Sequence, residues 1–387
     1  MSVSRRVYLD WNATTPLRPQ ARAAMLEAWD SVGNPSSIHE EGRAARAIME
    51  RARAQVAAAV GSEPRSVVFT SGGTEANVLA LSPHLRASAG PVERLLVSAV
   101  EHPSVLAGGQ FSPERIERIA VDAAGRVDLD DLAARLANGP PALVSVMVAN
   151  NETGALQPIR EAVDVVREHG ALLHADAVQG IGKIEFNISG LNVDLATVSS
   201  HKVGGPKGLG ALVLGPRAAA LPALVRGGGQ ERGRRAGTEN VAGIAGFGAA
   251  IEAAVAARPD IAAGMMERRN RFEAGLKRVS PDLVVFSEGV ARLPNTTLFA
   301  IPGYKAEMAV IAFDLAGVAV SSGSACSSGK VQPSHVVTAM GYPAELAGGA
   351  IRASLGWDTT AEDVDFAIEA WRKLRGALGK GTARNSA

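Results

Sequence analysis

One lysine of this sequence lies where an α/β sheet would present it to a ligand. The apolar run at residues 194–198 predicts a buried strand, and Ser199-Ser200-His201-Lys202 follows it directly. Open α/β sheets bind their ligands at the carboxyl ends of their strands. A desolvated lysine loses its proton readily, and the free amine can then attack a carbonyl to form a Schiff base. Lys202 is therefore a candidate nucleophile.

The alternative for Lys202 is a solvated surface charge, which is what most lysines are. The turn Gly204-Gly205-Pro206 argues against it, because such a turn fixes the backbone immediately after the lysine. The composition argues against it too, since only eight of the 40 lysines and arginines are lysines. Where arginine is the usual cation, a lysine is more often present for its chemistry.

Further polar groups follow other predicted strands. The loop Ser71-Gly72-Gly73-Thr74-Glu75 lies between a predicted strand and a predicted helix. Its glycines, hydroxyls and free N–H groups at a helix start suit a phosphate, although the loop alone is weak evidence. His102 follows a strand at residues 95–98, and a purely structural histidine is the alternative there. Asp176 ends a strand at residues 171–176, with Gln179 just beyond.

The chain has a single cysteine, Cys326, so no intrachain disulfide can form. A lone cysteine is often a small buried hydrophobe. The surrounding Ser-Gly-Ser-Ala-Cys-Ser-Ser-Gly is not core composition, however, and its glycines would let a thiol move. A second glycine-rich loop, residues 227–238, carries several arginines and has an exposed linker as its simplest interpretation.

Strands and helices alternate from residue 67 to residue 214, which predicts an α/β fold with a mostly parallel, doubly wound sheet. An alanine-rich helical region at residues 239–279 ends this alternation of strands and helices, and a smaller α+β domain is predicted beyond it. We expect a large cofactor-binding domain at residues 1–257, whose N-terminal segment is free to pack with the small domain. Residues 258–378 would form the small domain with the cysteine loop, and residues 379–387 a disordered tail.

The net charge and the apolar runs of the sequence limit which partners and which location to expect. The 387 residues carry a net charge of +1, which gives no electrostatic reason to expect nucleic acid or a membrane surface as a partner. No uninterrupted apolar run reaches the roughly 18 residues of a membrane span. The N-terminus lacks the hydrophobic region of a signal peptide, so a cytoplasmic location is expected. No metal site is predicted.

From about Tyr8 to Leu374 the chain resembles the cysteine desulfurases of the nitrogen-fixation and iron–sulfur-cluster type, within the class V aminotransferase-like group. These enzymes use the cofactor pyridoxal 5'-phosphate. Its binding site needs a lysine that attaches it, an acid at its ring nitrogen and a phosphate site. Trp11 departs from the pattern, because a smaller or polar residue is expected there, and it leaves the packing at the rim of the site open. The matching stretches are Asn34-Pro35-Ser36-Ser37, Ser71-Gly72-Gly73-Thr74-Glu75-Ala76-Asn77, Glu101-His102, Asn150-Asn151-Glu152, His174-Ala175-Asp176-Ala177-Val178-Gln179, Ser199-Ser200-His201-Lys202, Arg235-Ala236-Gly237-Thr238 and Ser322-Gly323-Ser324-Ala325-Cys326.

The resemblance implies a role for each of these residues. Lys202 would carry the cofactor and His102 would stack on its ring and help move protons, while Asp176 pairs the ring nitrogen and Gln179 bonds the ring hydroxyl. Arg352 would bind the substrate carboxylate, because a guanidinium can donate two parallel hydrogen bonds to a carboxylate. The other expected cofactor contacts are Gly73, Thr74, Asn151, Ser199, His201 and, from a second subunit, Thr238, and the other expected substrate contacts are Asn34 and Asn151.

The resemblance also implies an activity. L-Cysteine would be converted to L-alanine, with the sulfur left on Cys326 as a persulfide that supplies iron–sulfur cluster assembly. The expected partners are L-cysteine, a sulfur-acceptor protein such as an iron–sulfur scaffold, and a second copy of the chain in a homodimer. The alternatives are a selenocysteine lyase or an aminotransferase of the same fold. A catalytically silent scaffold is less consistent with the presence of Lys202, Asp176 and Cys326 together.

Overall fold

Short strands and longer helices alternate along the chain. The computed structural model describes residues 5–218, 221–323 and 332–384. The strands within these ranges are β1 (Val7–Tyr8), β2 (Val67–Thr70), β3 (Arg86–Ala87), β4 (Gly90–Pro91), β5 (Arg94–Ser98), β6 (Ile116–Ile119), β7 (Ala142–Ser145), β8 (Leu172–Asp176), β9 (Leu195–Ser199), β10 (Gly210–Leu214), β11 (Val284–Val285), β12 (Thr296–Ala300), β13 (Val318–Ala319), β14 (Ser321–Ser322) and β15 (Ile351–Ser354).

The helices account for most of the remaining length. The α-helices are α1 (Pro19–Trp29), α2 (Glu40–Ala59), α3 (Gly73–Ala80), α4 (Pro103–Leu106), α5 (Leu129–Ala137), α6 (Ile159–Glu168), α7 (Ile188–Leu191), α8 (Val241–Val279), α9 (Ala306–Leu315), α10 (His335–Ala339), α11 (Ala344–Gly348) and α12 (Ala361–Arg384). Short 3-10 turns lie at Pro64–Ser66, Pro113–Arg115, Ser200–Lys202, Pro216–Ala218 and Gln230–Gly233.

A seven-stranded sheet forms the larger part of the fold, in the order β2-β10-β9-β8-β7-β5-β6. The neighbours from β9 to β6 run parallel, and β10 is antiparallel to both β9 and β2. Every residue of β5, β7, β8, β9 and β10 is buried, because helices cover both faces. Burial on both faces explains why these strands appear in the sequence as continuous apolar runs. The predicted α/β fold with a mostly parallel sheet is confirmed.

A second, four-stranded sheet has the order β11-β12-β15-β14 and is antiparallel throughout. Its apolar cluster includes Phe299 and Trp371, whose rings pack edge to face with centroids 5.7 Å apart. The N-terminal strand β1 pairs with β13, and Val7 and Leu9 belong to the same cluster. The N-terminal segment thus packs with elements from the C-terminal part of the chain.

The long helix α8 connects the two sheets without a break. Its N-terminal part, including Phe247 and Ala254, packs in the core of the large sheet. Its C-terminal part, including Phe272 and Leu276, packs in the core of the small sheet. The helix runs through residue 257, where the sequence predicts a domain boundary, so the two cores share one continuous element.

Helix α8 is also the one helix among the described residues that is long and apolar enough to cross a membrane. In this fold 56% of that apolar stretch is buried inside the protein. The burial against α1 and α2 accounts for its composition, as in the core helix of a globular protein.

One difference from the sequence prediction concerns the C-terminal part. Helix α12 continues to Arg384, past Gly379, where the predicted tail begins. The stretch contains no proline, and Lys380, Ala383 and Arg384 favour a helix while Gly379 and Gly381 oppose it. Cys326 lies outside the described residues, in the segment 324–331.

Candidate active site

A cavity of about 600 Å³ opens where β8 and β9 end, between the two sheets. It collects residues that are far apart in the sequence. Ten of the predicted site residues line it: Gly73, Thr74, His102, Asn151, Asp176, Gln179, Ser199, His201, Lys202 and Arg352.

Lys202 projects into this cavity from the 3-10 turn that follows β9. Its Nζ donates hydrogen bonds to the backbone oxygens of Asn12, at 2.5 Å, and Ala13, at 2.8 Å. The pKa of Lys202 is lowered from 10.5 to about 8, chiefly by burial and also by the positive charge of Arg352, against the opposing effects of Asp10 and Asp176. A substantial share of this amine is therefore unprotonated and nucleophilic near neutral pH.

Asp176 is the last residue of β8, and both its oxygens accept hydrogen bonds from uncharged donors. The side-chain amide of Asn77 donates to Oδ2 at 2.9 Å, and the backbone N–H of Val178 donates to Oδ1 at 3.0 Å. No cation of the described chain forms an ion pair with this carboxylate. Its charge is thus available to a positively charged group of a ligand, such as a protonated ring nitrogen.

His102 connects to Asp176 through a short hydrogen-bonded path. Ser104 Oγ lies 2.8 Å from His102 Nδ1 and accepts a hydrogen bond from Asn77 Nδ2 at 2.9 Å. The backbone N–H of Ser104 also donates to Nδ1, which assigns Nδ1 as the acceptor and leaves the ring proton on Nε2. Burial lowers the pKa of His102, with Lys202 acting in the same direction and Asp176 opposing it. The imidazole is therefore neutral, with an N–H on Nε2 that it can donate to a ligand.

The other end of the cavity suits an anion. Gly73, Thr74, Ser199 and His201 also line an adjoining space of about 420 Å³, at the N-terminus of α3. The backbone is held close there, because a Cβ on Gly210 would lie 2.6 Å from the carbonyl carbon of Gly72. Burial lowers the pKa of His201 to about 4, and Lys202 and Lys207 act in the same direction. The pocket therefore offers hydroxyls, N–H groups and a helix N-terminus. The carboxylate of Glu75 also lines it, and this group is bonded by the Ser71 backbone N–H at 2.8 Å and by Arg235 Nε at 2.9 Å.

Arg352, on β15, forms the side of the cavity that the small sheet supplies. Its Nη2 donates to Asp10 Oδ1 at 2.7 Å and its Nη1 to the Asn151 backbone oxygen at 3.1 Å. Its Nε is buried and has no hydrogen-bond partner among the residues that the structure describes. Because buried donors are rarely left unpaired, this N–H indicates a missing acceptor, such as a ligand carboxylate.

The donor set fits pyridoxal phosphate. A partly unprotonated lysine, an unpaired carboxylate at a strand end, a neutral histidine and an anion pocket all face connected spaces. When bound, the cofactor supplies an electron sink for the bonds at the substrate α-carbon.

The remaining predicted residues lie elsewhere. Asn34 is exposed, and its Oδ1 accepts a hydrogen bond from the Ser36 backbone at 2.9 Å. Thr238 is exposed as well, and neither residue lines the cavity. Cys326 is outside the described residues, but Ser321 on one side of its segment and Gln332 on the other both line the cavity.

Several cavity residues were not singled out by the sequence. Asn77 lies four residues after Gly73 on α3, so helical spacing could have indicated it. Glu152 and His335 line the cavity too, and burial raises the pKa of Glu152 to about 7 while Ser334 and Arg352 oppose the rise. No sequence signal identifies His335, because it reaches the site only through the fold.

Trp11, the residue that departs from the family pattern, is buried at the rim. Its ring packs edge to face on Trp357, with centroids 4.6 Å apart, and its Nε1 donates to the Tyr8 backbone oxygen. A Cβ on Gly356 would lie 1.9 Å from the indole, so a glycine is needed there. The local packing accommodates the large side chain.

Comparison with known proteins agrees with this geometry. The family model described as Aminotransferase class-V matches residues 7–366. The chain is 40% identical to cysteine desulfurase IscS of Dictyoglomus turgidum, over 96% of this chain and 95% of that protein. It is 45% identical to a cysteine desulfurase of Cereibacter sphaeroides, over 94% of both chains. The structure of a NifS-like protein from Rickettsia africae superposes with a TM-score of 0.87 at 38% identity, over 95% of this chain and 99% of that chain. The chain belongs to the class V aminotransferase family and, within it, to the pyridoxal-phosphate-dependent cysteine desulfurases.

Proposed function

We propose that the chain removes the sulfur of L-cysteine, releases L-alanine and carries the sulfur on Cys326 as a persulfide for iron–sulfur cluster assembly. The observation that carries this proposal is the meeting of a lysine amine, a carboxylate and an arginine around one cavity. Lys202, Asp176 and Arg352 supply a nucleophile, a ring-nitrogen partner and a carboxylate site for an α-amino acid.

The cofactor is proposed to be held along the length of the cavity. Lys202 would attach it covalently, Asp176 would pair its ring nitrogen and Gln179 would bond its ring hydroxyl. Its phosphate would be held by residues at the N-terminus of α3 and just after or at the end of β9. These residues are Gly73, Thr74, Ser199 and His201, and a second subunit would add Thr238.

Proton transfer at the substrate α-carbon is assigned to Lys202 and His102. The lowered pKa of Lys202 makes its amine a base at neutral pH once substrate has freed it. His102 would assist from Nε2, which carries its ring proton and can donate it to a ligand group, since Ser104 occupies Nδ1.

Arg352 is proposed to bind the substrate carboxylate, with Asn151 beside it. Asn34 is a further proposed contact, from a position that does not line the cavity of its own chain. The unpartnered Nε supports this assignment, because a carboxylate would satisfy the buried N–H. Asp10 already occupies Nη2, which fixes the guanidinium before substrate arrives.

Sulfur transfer is assigned to Cys326 as a thiolate. Its attack on the substrate sulfur forms the S–S bond while the substrate C–S bond breaks. The carbon fragment keeps the bonding electron pair and takes up a proton to become the methyl group of alanine. The lining of the cavity by Ser321 and Gln332, one on each side of the segment 324–331, supports a thiol within reach of substrate.

The proposed assembly is a cytoplasmic homodimer of two-domain subunits that hands sulfur to an acceptor protein. Trp29, Val32 and Ile38 are 64%, 82% and 89% exposed at the end of α1 and the approach to α2. Burying such large apolar side chains against a second copy would be favourable. The small domain would consist of the four-stranded sheet with α9 and α12, and β1 would pack on it.

The test of this function uses Cys326→Ser, which keeps a similar size but removes the thiolate. The pKa of a free cysteine, about 8.5, leaves part of it as thiolate near neutral pH, whereas a serine hydroxyl stays protonated. We expect the variant to bind pyridoxal phosphate normally, to change its absorbance with L-cysteine, and to release alanine at close to background rate.

Lys202→Ala serves as the opposite control. Borohydride should fix the cofactor to the peptide containing Lys202 in the wild type and in Cys326→Ser, and not in Lys202→Ala. Alanine release by Cys326→Ser at the wild-type rate would refute the persulfide step and favour a lyase or an aminotransferase instead.

A further inference from the structure

A second buried lysine lies behind the cavity and has no part in the proposed chemistry. Lys183 is 9% exposed and lies seven residues after the end of β8. Its Nζ donates to Gln179 Oε1 at 2.6 Å and to Asn12 Oδ1 at 3.0 Å. No carboxylate forms an ion pair with it in the part of the chain that the structure describes. Its partners are therefore two amide oxygens.

These contacts determine which way the Gln179 amide faces. A glutamine side chain has one acceptor oxygen and one NH₂ donor, and exchanging them reverses every hydrogen bond it makes. Gln179 Nε2 donates to the Asn12 backbone oxygen at 3.0 Å, and Lys183 donates to Oε1. A flipped amide would set two oxygens against each other at Asn12 and two nitrogens against each other at Lys183. In the orientation observed, the second N–H of Nε2 is free for the cavity that Gln179 lines.

The same contacts join Lys183 to Lys202. The Asn12 backbone oxygen accepts from both Gln179 Nε2 and Lys202 Nζ, while the Asn12 side chain accepts from Lys183. Asn12 is 1% exposed, so the acceptor oxygens of these hydrogen bonds on Asn12 are buried. A change at Lys183 would first alter the orientation of the Gln179 amide and the position of Asn12.

We propose that Lys183 is a positioning residue that locks the Gln179 amide with an N–H donor toward the cofactor ring hydroxyl. The proposal rests on the function proposed above, since it presumes that Gln179 contacts that hydroxyl. Lys183 touches neither cofactor nor substrate and acts only through Gln179 and Asn12.

The charge state of Lys183 is consistent with this role. Burial lowers its pKa well below the ordinary value, and the positive charges of Lys202 and Arg352 act in the same direction. A neutral amine still offers two N–H donors, which is the number of bonds it makes here, and it avoids the cost of an unpaired buried charge.

The test is a double-mutant cycle between Lys183→Met and Gln179→Met, measured with pyridoxal phosphate. Methionine fills a similar volume and has no N–H. Loss of one properly aimed hydrogen bond should raise the cofactor dissociation constant about tenfold, which corresponds to about 1.4 kcal/mol. It should also shift the absorbance band of the bound cofactor, whose ring hydroxyl has lost its donor. In the Gln179→Met background, Lys183→Met should add little to either change.

Asn295→Leu is the matched control. Asn295 Nδ2 also donates to Asn12 Oδ1, at 3.2 Å, but Asn295 does not contact Gln179. This variant should lower the melting temperature of the cofactor-free protein without shifting the absorbance band. Lys183→Gln, which restores an N–H donor, should recover part of the cofactor affinity and provides the measurement if Lys183→Met does not fold.

Three outcomes would overturn the proposal. Equal losses from Lys183→Met in both backgrounds would make Lys183 a purely structural residue, and the role of Gln179 would stand. A band shift in Asn295→Leu as large as in Lys183→Met would assign the effect to Asn12 instead. No effect of Gln179→Met on affinity or absorbance would remove both the Gln179 contact and the role of Lys183.

Discussion

Burial changes the chemistry of individual side chains before any cofactor or substrate binds. At pH 7 an amine of pKa 10.5 is unprotonated about once in 3,000 molecules, and one of pKa about 8 about once in ten. The fold therefore makes Lys202 about 300 times richer in free amine than a solvated lysine. Desolvation in the cavity is the largest cause, and the guanidinium of Arg352 adds to it.

The first prediction follows from that pKa. The rate at which cofactor-free protein attaches pyridoxal phosphate should rise with pH and level off above about pH 8, because the unprotonated Lys202 amine is the attacking group. The rate can be followed by absorbance after rapid mixing over pH 6 to 10. Arg352→Met removes a charge that lowers this pKa, so the midpoint should move to higher pH. A rate that climbs tenfold per pH unit through pH 10, as for a free lysine, would contradict the prediction.

The sequence could indicate site residues that occupy strand ends and lie in recognisable motifs. His102, Asp176 and Lys202 belong to this group, and all three line the cavity. Lys183 and His335 could not be found in the same way. Each has a contact to a position distant in the sequence, Lys183 to Asn12 and His335 to the Glu101 backbone, which only the fold brings together.

At the scale of elements, a buried ion pair anchors the loop that carries Thr238. Arg53 on α2 forms two hydrogen bonds of 2.7 Å to the carboxylate of Glu231, which also accepts the backbone N–H of Phe69 at 2.8 Å. Glu231 has φ of 46°, an uncommon value for a residue other than glycine. The composition of the loop favours an exposed linker, but a single buried glutamate ties it to α2 and β2.

The second prediction concerns this anchor. Arg53→Met leaves the Glu231 carboxylate buried without its partner and should destabilise the protein by about 3–5 kcal/mol. Chemical unfolding monitored by circular dichroism would measure the change. Arg65→Met is the control, because its pair with Glu63 is exposed and worth at most about 1 kcal/mol. Equal shifts in the two variants would show that Arg53 and Glu231 do not anchor the loop.

Elements could be predicted from the sequence where burial is complete. The strand predicted at residues 67–70 matches β2, and those predicted near residues 95–98 and 171–176 match β5 and β8 within a residue or so. β6 was not predicted, because Glu117 and Arg118 interrupt its apolar pattern. It lies at the edge of the sheet, where charged residues are common and the apolar signal is weak.

At the scale of the whole molecule, the site depends on how the two sheets are held together. Asn12 donates through its backbone to Ser354 Oγ on β15 and through Nδ2 to Thr296 Oγ1 on β12. Its backbone oxygen accepts from Lys202, beside the large sheet. The distance between Lys202 and Arg352 is thus set by a buried asparagine near the N-terminus. The sequence indicates that the N-terminal segment is free to pack with the small domain, but the pairing of Asn12 depends on tertiary contacts that no local pattern encodes.

The third prediction concerns a second copy of the chain. Thr238 is exposed and does not line the cavity of its own subunit, so the proposed phosphate contact would be made across an interface. Lys202→Ala and Thr238→Ala should each be inactive. In a random hybrid one of the two sites then contains both defects and the other contains neither. Hybrids make up about half of the dimers formed from an equal mixture, so about a quarter of the wild-type activity should return.

A second mixture of variants serves as the control that distinguishes a site shared between subunits from a site formed within one chain. Lys202→Ala mixed with Asp176→Ala leaves every site defective, because both residues line the cavity of the same subunit. That mixture should stay inactive, while the mixture with Thr238→Ala recovers. Subunits must first be exchanged by partial unfolding or co-expression, and light scattering must report a dimer. A fully active monomer, or equal recovery in both mixtures, would show that Thr238 does not complete the site of a second subunit.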